Sequence, residues 1–326
     1  MDAVSNSRRT AAYKPGLAWF TALGTAWVFV LVALGAFTTT IGAGMAFPDW
    51  PLSNGSVNPH GWLTEIDKFA EHSHRLSATM MGIITIIIAV WVWRAESRGW
   101  LRRLAWFAVG LVVLQGVVGG LRVLCDHMQI EMVDTSLGRL FAMLHACLAQ
   151  FFACTLLAIA AACSAGWIRQ GRSVSAGTRR AGVICCALLF LQLAIAAIMR
   201  HSFAGLAIPT FPYSTPDGHL LPSAWGFRVG IQFAHRVMAL VIAGAIAWFA
   251  CTLWTDRGAS LLMRCGASTL VSLVGLQILL GAGIIWTFRS VALTTGHVLV
   301  GALTLTTTFW LTWLAHRDVV EAKCGP

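Results

Sequence analysis

Eight apolar runs of about 20 residues or more divide this chain, and they leave little choice of fold class. At 1.5 Å rise per residue, a helix of about 20 residues crosses a hydrocarbon core of roughly 30 Å. The runs extend from Leu17 to Gly42, Phe69 to Trp93, Leu104 to Val123, Leu137 to Cys163, Ala181 to His201, Val229 to Leu253, Leu261 to Trp286 and Val291 to Ala315. With only 11% charged residues against 57% hydrophobic ones, the 326-residue chain cannot clothe a soluble globule of its size. The expected fold is an all-α integral membrane protein with eight transmembrane helices.

A formal charge of +10 invites a nucleic-acid reading, but the placement of the charges argues against it. With the N-terminus in the cytoplasm, the inner segments collect fifteen of the 23 basic residues against five acids. The outer segments balance eight of each, so the whole excess is the positive-inside bias. Both termini are then cytoplasmic. The leader Met1 to Gly16 is short, polar and basic, and reads as a cytoplasmic tail rather than a cleaved signal. Of nine cysteines only Cys125 falls in an outer loop, so no outer disulfide framework is expected.

The chain repeats itself. Ala46-Phe47-Pro48-Asp49-Trp50-Pro51-Leu52-Ser53 matches Ala207-Ile208-Pro209-Thr210-Phe211-Pro212-Tyr213-Ser214 at an offset of 161, which also carries His74-Arg75 onto His235-Arg236. Gln115 falls on Gln277 and His145 on His297 at slightly drifted offsets. Two parallel four-helix halves follow, residues 17–168 and 169–316, flanked by cytoplasmic tails 1–16 and 317–326. The two halves are expected to form pseudo-symmetric bundles.

Ionisable residues inside a bilayer are costly and therefore functional candidates. His74, His145, His235 and His297 lie on spans two, four, six and eight, each about two turns or less from the outer end. A lone intramembrane histidine serves equally well as a hydrogen-bonding helix contact. Two per half at matched depth suit a planar cofactor held between helices, and haem iron takes neutral imidazole as an axial ligand. His60, His127, His219, His201, His316 and His72 read as solvated or structural. Glu71 lies one turn before His74, where the second half has Gln232, so the halves are expected to do different jobs. Glu71 reads as a proton acceptor or charge stabiliser, or as a simple helix-start residue. Arg75 and Arg236 could pair with haem propionates or snorkel to the interface. Trp50 and Phe211 read as interfacial aromatics, and Gln115-Gly116-Val117-Val118-Gly119-Gly120 as a close helix-packing stretch.

Taken in order, Pro48-Asp49-Trp50-Pro51, Glu71-His72-Ser73-His74-Arg75, Leu114-Gln115-Gly116 with Gly119-Gly120, His145, His235-Arg236 and His297 resemble the haem A synthases, membrane enzymes of cytochrome oxidase assembly. The resemblance runs from about Gly35 to Ala315. It implies oxidation of a methyl group of haem O to the formyl group of haem A, through a hydroxymethyl stage. It further implies that His235 and His297 ligate a resident haem b through its iron, that His74 and His145 flank the substrate haem O, and that Glu71 assists catalysis. Many bacterial relatives carry cysteine pairs in the first and third outer loops, where this chain has Phe47, Ser53, Ile208 and Ser214. An arginine common near the end of the first span is replaced by Thr38-Thr39-Thr40.

Two other readings stay open. A dihaem cytochrome wiring electrons across the membrane would need histidines at both depths, roughly 20 Å apart, and all four lie on one side. A haem transporter or assembly chaperone would present the same ligands without chemistry. A di-iron hydroxylase would need clustered histidine boxes, which are absent. The resemblance places the chain in a bacterial inner membrane with its active side facing the periplasm. Expected partners are the lipid bilayer, haem O, the membrane farnesyltransferase that makes haem O or other oxidase assembly factors, and a second copy of the chain.

Overall fold

The computed structural model describes residues 13–131, 135–169 and 173–324. Eight long helices cross the molecule: α1 (Pro15–Thr40), α2 (Ile66–Ala95), α3 (Gly99–Leu124), α4 (Leu137–Cys163), α6 (Ala176–His201), α7 (Phe227–Thr255), α8 (Leu261–Trp286) and α9 (Val291–Ala315). Each is long and apolar enough to span a membrane. All eight expected spans are present, with ends moved by up to five residues. α2 begins at Ile66 rather than Phe69, and α3 and α6 each start five residues early, because helix geometry persists into the polar flanks that hydropathy discounts. Two short helices, α5 (Ala165–Arg169) and α10 (Arg317–Cys324), and a two-stranded hairpin of β1 (Gln129–Ile130) and β2 (Thr135–Ser136) carry no hydropathy signal and were not expected. The tail to residue 12, Arg172 and Asp134 lie outside the described residues.

The helices pack in two rings. α1, α2, α3 and α4 contact one another in cyclic order, as do α6, α7, α8 and α9. The rings join through α1 on α9, α4 on α6 and α4 on α9. α4 and α9 are accordingly more than half buried along their apolar stretch, whereas the other six are buried over a third or less. Polar residues are tolerated on these inner helices because their hydroxyls turn back on the backbone. Thr304, Thr306, Thr308 and Thr312 on α9 are all buried, and each donates to the carbonyl four residues earlier at 2.7–2.8 Å.

The two ends of the molecule differ. The end holding both described termini carries a dense apolar core that includes Leu17, Val92, Leu101, Phe152, Ile159, Trp167, Phe249, Leu253 and Leu314. It is tied by Arg98 to Glu96 at 2.9 Å and to Glu321 at 3.3 Å, with Trp167 donating to Glu321 at 2.7 Å. The opposite end carries the long connections 41–65, 125–136 and 202–226. The candidate histidines sit at that end, eight residues into α2, α4 and α7 and six into α9.

Candidate functional site

Within each ring the histidine-bearing helices stand at opposite corners, so their imidazoles approach across the ring interior. The ring centroids of His74 and His145 are 6.5 Å apart, and those of His235 and His297 are 6.4 Å apart. Two imidazoles on one first-row metal, bonded at about 2.0–2.1 Å with roughly 1.1 Å from nitrogen to ring centre, have centroids about 6.3 Å apart. Both pairs are therefore spaced to share a single ion. Among the described residues no third His, Cys, Asp or Glu joins either pair to make a metal-binding group. A bare ion is left short of protein ligands by such a pair, whereas a macrocycle that brings its own equatorial donors needs only two axial ones.

The surroundings orient these rings in the same way in both halves. His145 Nδ1 lies 3.1 Å from the carbonyl of Gln115, and His297 Nδ1 lies 3.1 Å from the carbonyl of Gln277. Each contact makes Nδ1 the protonated nitrogen and leaves Nε2 with a lone pair, which is how a backbone partner fixes the tautomer of a ligating histidine. At His297 that lone pair accepts from the Gln277 amide at 3.2 Å, an acceptor role that ligation would take over. The Gln115 amide also donates to the His145 carbonyl at 2.9 Å, and Gln192 to the His235 carbonyl at 3.0 Å. His74 and His235 each keep a buried Nδ1 without a protein partner. Glycines clear space for the rings. A Cβ on Gly35, Gly119 or Gly281 would stand 3.0, 2.9 or 3.2 Å from Cε1 of His74, His145 or His297 respectively.

Glu71 is buried, with Arg75 at 2.5 Å from Oε1 and the Phe47 backbone N–H donating to Oε2 at 3.1 Å. Gln232 stands in the matching place and does the matching job, accepting from the Ile208 N–H at 2.5 Å. Both side chains pin the start of an outer loop; only the first brings a negative charge. Arg75 Nη1 and Nη2 donate to the carbonyls of Asp49 (2.8 Å), Leu52 (2.6 Å) and Phe47 (3.1 Å). Arg236 donates to those of Thr210 (2.7 Å), Tyr213 (3.3 Å) and Ile208 (2.9 Å), the same three positions shifted by 161. The terminal nitrogens of both arginines are thus occupied as loop clamps, a third option beside propionate pairing and snorkelling.

Other residues singled out in the sequence hold the loops as well. His72 is buried rather than solvated, with Nδ1 at 3.1 Å from Ser53 Oγ and its ring against Trp62. Asp49 accepts from the N–H groups of Asn54 and Gly55 at 2.7 Å each. Burial opposes its ionisation, but those two N–H groups prevail and hold the carboxyl below the usual range. Trp50, expected in an interfacial belt, lies over Gly120, which has no room for a Cβ against the indole. Phe211 sits beneath the Arg236 guanidinium, 5.6 Å from its centroid, and 6.1 Å from Trp286.

Two side chains near the pairs carried no sequence motif. Arg122 projects from α3, and Arg200 at the end of α6 reaches the first ring, donating to the Ala36 carbonyl at 3.0 Å and Thr40 Oγ1 at 2.7 Å. Their basic character near a span end was the available signal, and the inside–outside charge count absorbed it.

A family model described as cytochrome oxidase assembly protein (COX15-CtaA) matches residues 18–309. The chain belongs to this family. A protein of Shouchella clausii named Heme A synthase is 27% identical over 89% of this chain and 94% of its own length. Proteins of the same name from Geobacillus kaustophilus and Sphingopyxis alaskensis are 29% and 28% identical, covering 72% and 94% of this chain and 70% and 94% of their own lengths. Membership in the cytochrome oxidase assembly family agrees with two imidazole pairs spaced for a haem-like ligand.

Proposed function

We propose that this protein is a haem A synthase of a bacterial cell membrane, oxidising the porphyrin methyl group of haem O to the formyl group of haem A. The observation that supports the reading most directly is the pair of imidazole couples at 6.4 and 6.5 Å, set in matched helix pairs of a chain whose relatives bear that name. In this reading the four-helix half of residues 169–316 holds a resident haem b through His235 and His297. The half of residues 17–168 receives haem O between His74 and His145. Bound haem b supplies one-electron redox chemistry. The loop-bearing end faces outward, by the charge bias of the opposite end.

The protein's own contribution differs between the halves through Glu71. Its two oxygens already accept from Arg75 and the Phe47 N–H one helical turn from His74, so in this reading it serves as a positioned, ion-paired carboxylate near the first pair rather than as a mobile proton carrier. Such a charge favours positive charge developing on a bound substrate, and Gln232 offers none in the other half. Arg75 and Arg236, each next to a histidine of a pair, clamp the outer loops at that end. The test is the pigment carried by purified protein. Haem B together with haem O or haem A, identified by pyridine haemochrome spectra and mass, fits a synthase. Haem B alone at two per chain fits an electron carrier and overturns the proposal.

A further inference from the structure

Arg122, near the loop-bearing end of the first ring, is a guanidinium with no hydrogen-bond acceptor among the described residues. It lies three residues beyond Gly119, the glycine that abuts His145, so it projects from the same face of α3 one turn nearer the loop-bearing end. Its side chain packs on Gly44, where a Cβ would collide with the guanidinium, so it is held at the root of the first outer loop. Its charge is near enough to act on both His74 and His145. The carboxylates that feel it, Glu71 and Asp126, are already engaged, the first by Arg75 and the second by Ser136 Oγ at 3.1 Å. Among the described residues no acceptor takes a hydrogen bond from Arg122, although an arginine inside a membrane helix needs an anionic or carbonyl partner. Arg75 cannot serve the same ligand with its terminal nitrogens, which the loop carbonyls and Glu71 occupy.

We propose that Arg122 pairs with a carboxylate of the porphyrin placed between His74 and His145, and so selects the free acid and sets which edge of the ring faces the loops. A planar guanidinium suits a carboxylate, and the pairing is worth most in a site from which water is excluded. The position 162 residues on is Ile284, so the second pair lacks this anchor and the preference belongs to one site. The proposal rests on the haem reading above.

The test uses the full chain, purified in detergent and freed of pigment, titrated with ferric haem and with its dimethyl ester while the bis-histidine Soret band is followed. A His235→Ala variant identifies which binding phase belongs to the first pair. At that phase the wild type is expected to bind the diacid at least about tenfold more tightly than the ester. Arg122→Gln is expected to lose that preference while binding the ester as the wild type does, and Arg122→Lys to keep part of it. Equal weakening of both forms by Arg122→Gln would show a structural role, and no weakening of either would show an anionic lipid headgroup or solvent as the true partner; each overturns the assignment. Should Arg122→Gln not accumulate, a wild type that takes both forms equally overturns it alone. A wild type that binds neither form overturns the haem reading itself.

Discussion

Glu71 and Gln232 are near-isosteres in matched positions and both accept a loop N–H, but Glu71 pairs with Arg75 where the Gln232 amide donates to the Gly205 carbonyl. Glu71→Gln keeps an acceptor for the Phe47 N–H while removing the charge and its ion pair with Arg75. Turnover of haem O is expected to fall by about 10²-fold or more, while haem uptake by His235 and His297 is unchanged. Product quantified by mass decides it, and an unaltered rate would reduce Glu71 to a loop tether. For Arg75 and Arg236 the expectation runs to stability instead. Replacing either by Gln strips three carbonyls of a charged donor, at about 1.5–3 kcal/mol for each such bond, so thermal unfolding should shift down for both variants, further for Arg75→Gln, which also leaves the buried Glu71 without its ion pair. The histidines and Glu71 stood out in the sequence because charge in an apolar run is conspicuous. What the adjacent arginines bind did not, since a backbone carbonyl leaves no mark in the residue string, and both arginines read equally well as propionate partners or as side chains snorkelling to the interface.

Helix contacts turn small residues into site determinants. Gly119 and Gly281 keep α3 and α8 close to the imidazoles of α4 and α9, and Ala at either must push the ring by several tenths of an ångström or part the helices. Gly119→Ala is expected to weaken six-coordinate haem at the first pair alone, and Gly281→Ala at the second alone, each followed as loss of the low-spin optical signature. The sequence displayed Gly119 within a packing stretch, and that reading holds; Gly281 was not singled out, and the imidazole partner of neither could be named without the ring arrangement. At the opposite end Asp256 links the start of α6 to the α7–α8 turn, accepting from Ser175 N–H at 2.8 Å, Thr178 Oγ1 at 2.7 Å and Gly258 N–H at 2.8 Å. Burial opposes ionisation, but these donors outweigh it and bring the carboxyl to about 2. A folded value below the unfolded one means that the stabilisation is complete above about pH 4 and disappears as pH falls through 2. Asp256→Asn should cost about 1–2 kcal/mol at neutral pH, solvent screening included, and flatten the acid limb of the unfolding curve.

Across the whole molecule the eight spans were legible because bilayer thickness sets a length that hydropathy alone can meet. The repeat was legible too, at its loops and histidines, whereas the way the two rings meet was not. Contacts of α1 on α9 and of α4 on α6 and α9 join surfaces that are apolar all round, with no periodicity to tell lipid from protein. Removing one ligand pair at a time tests the division of labour. His235→Ala with His297→Ala should strip haem b yet leave the diacid-selective site, and His74→Ala with His145→Ala should do the reverse, with stoichiometry falling to one per chain in each. Loss of both haems in either case would mean that the rings form one cooperative unit.

Arg200 adds a constraint of another kind. The position equivalent to it in the first ring is Thr39, and the C-terminal ring sends its own cation across to the end of α1, onto Ala36 and Thr40. A lone N-terminal bundle would end α1 without that donor, and a lone C-terminal bundle would leave a membrane-embedded guanidinium searching for an acceptor. Whatever ancestor consisted of a single such bundle, these two have since become mutually obligate, and separately expressed fragments should be degraded unless they find each other.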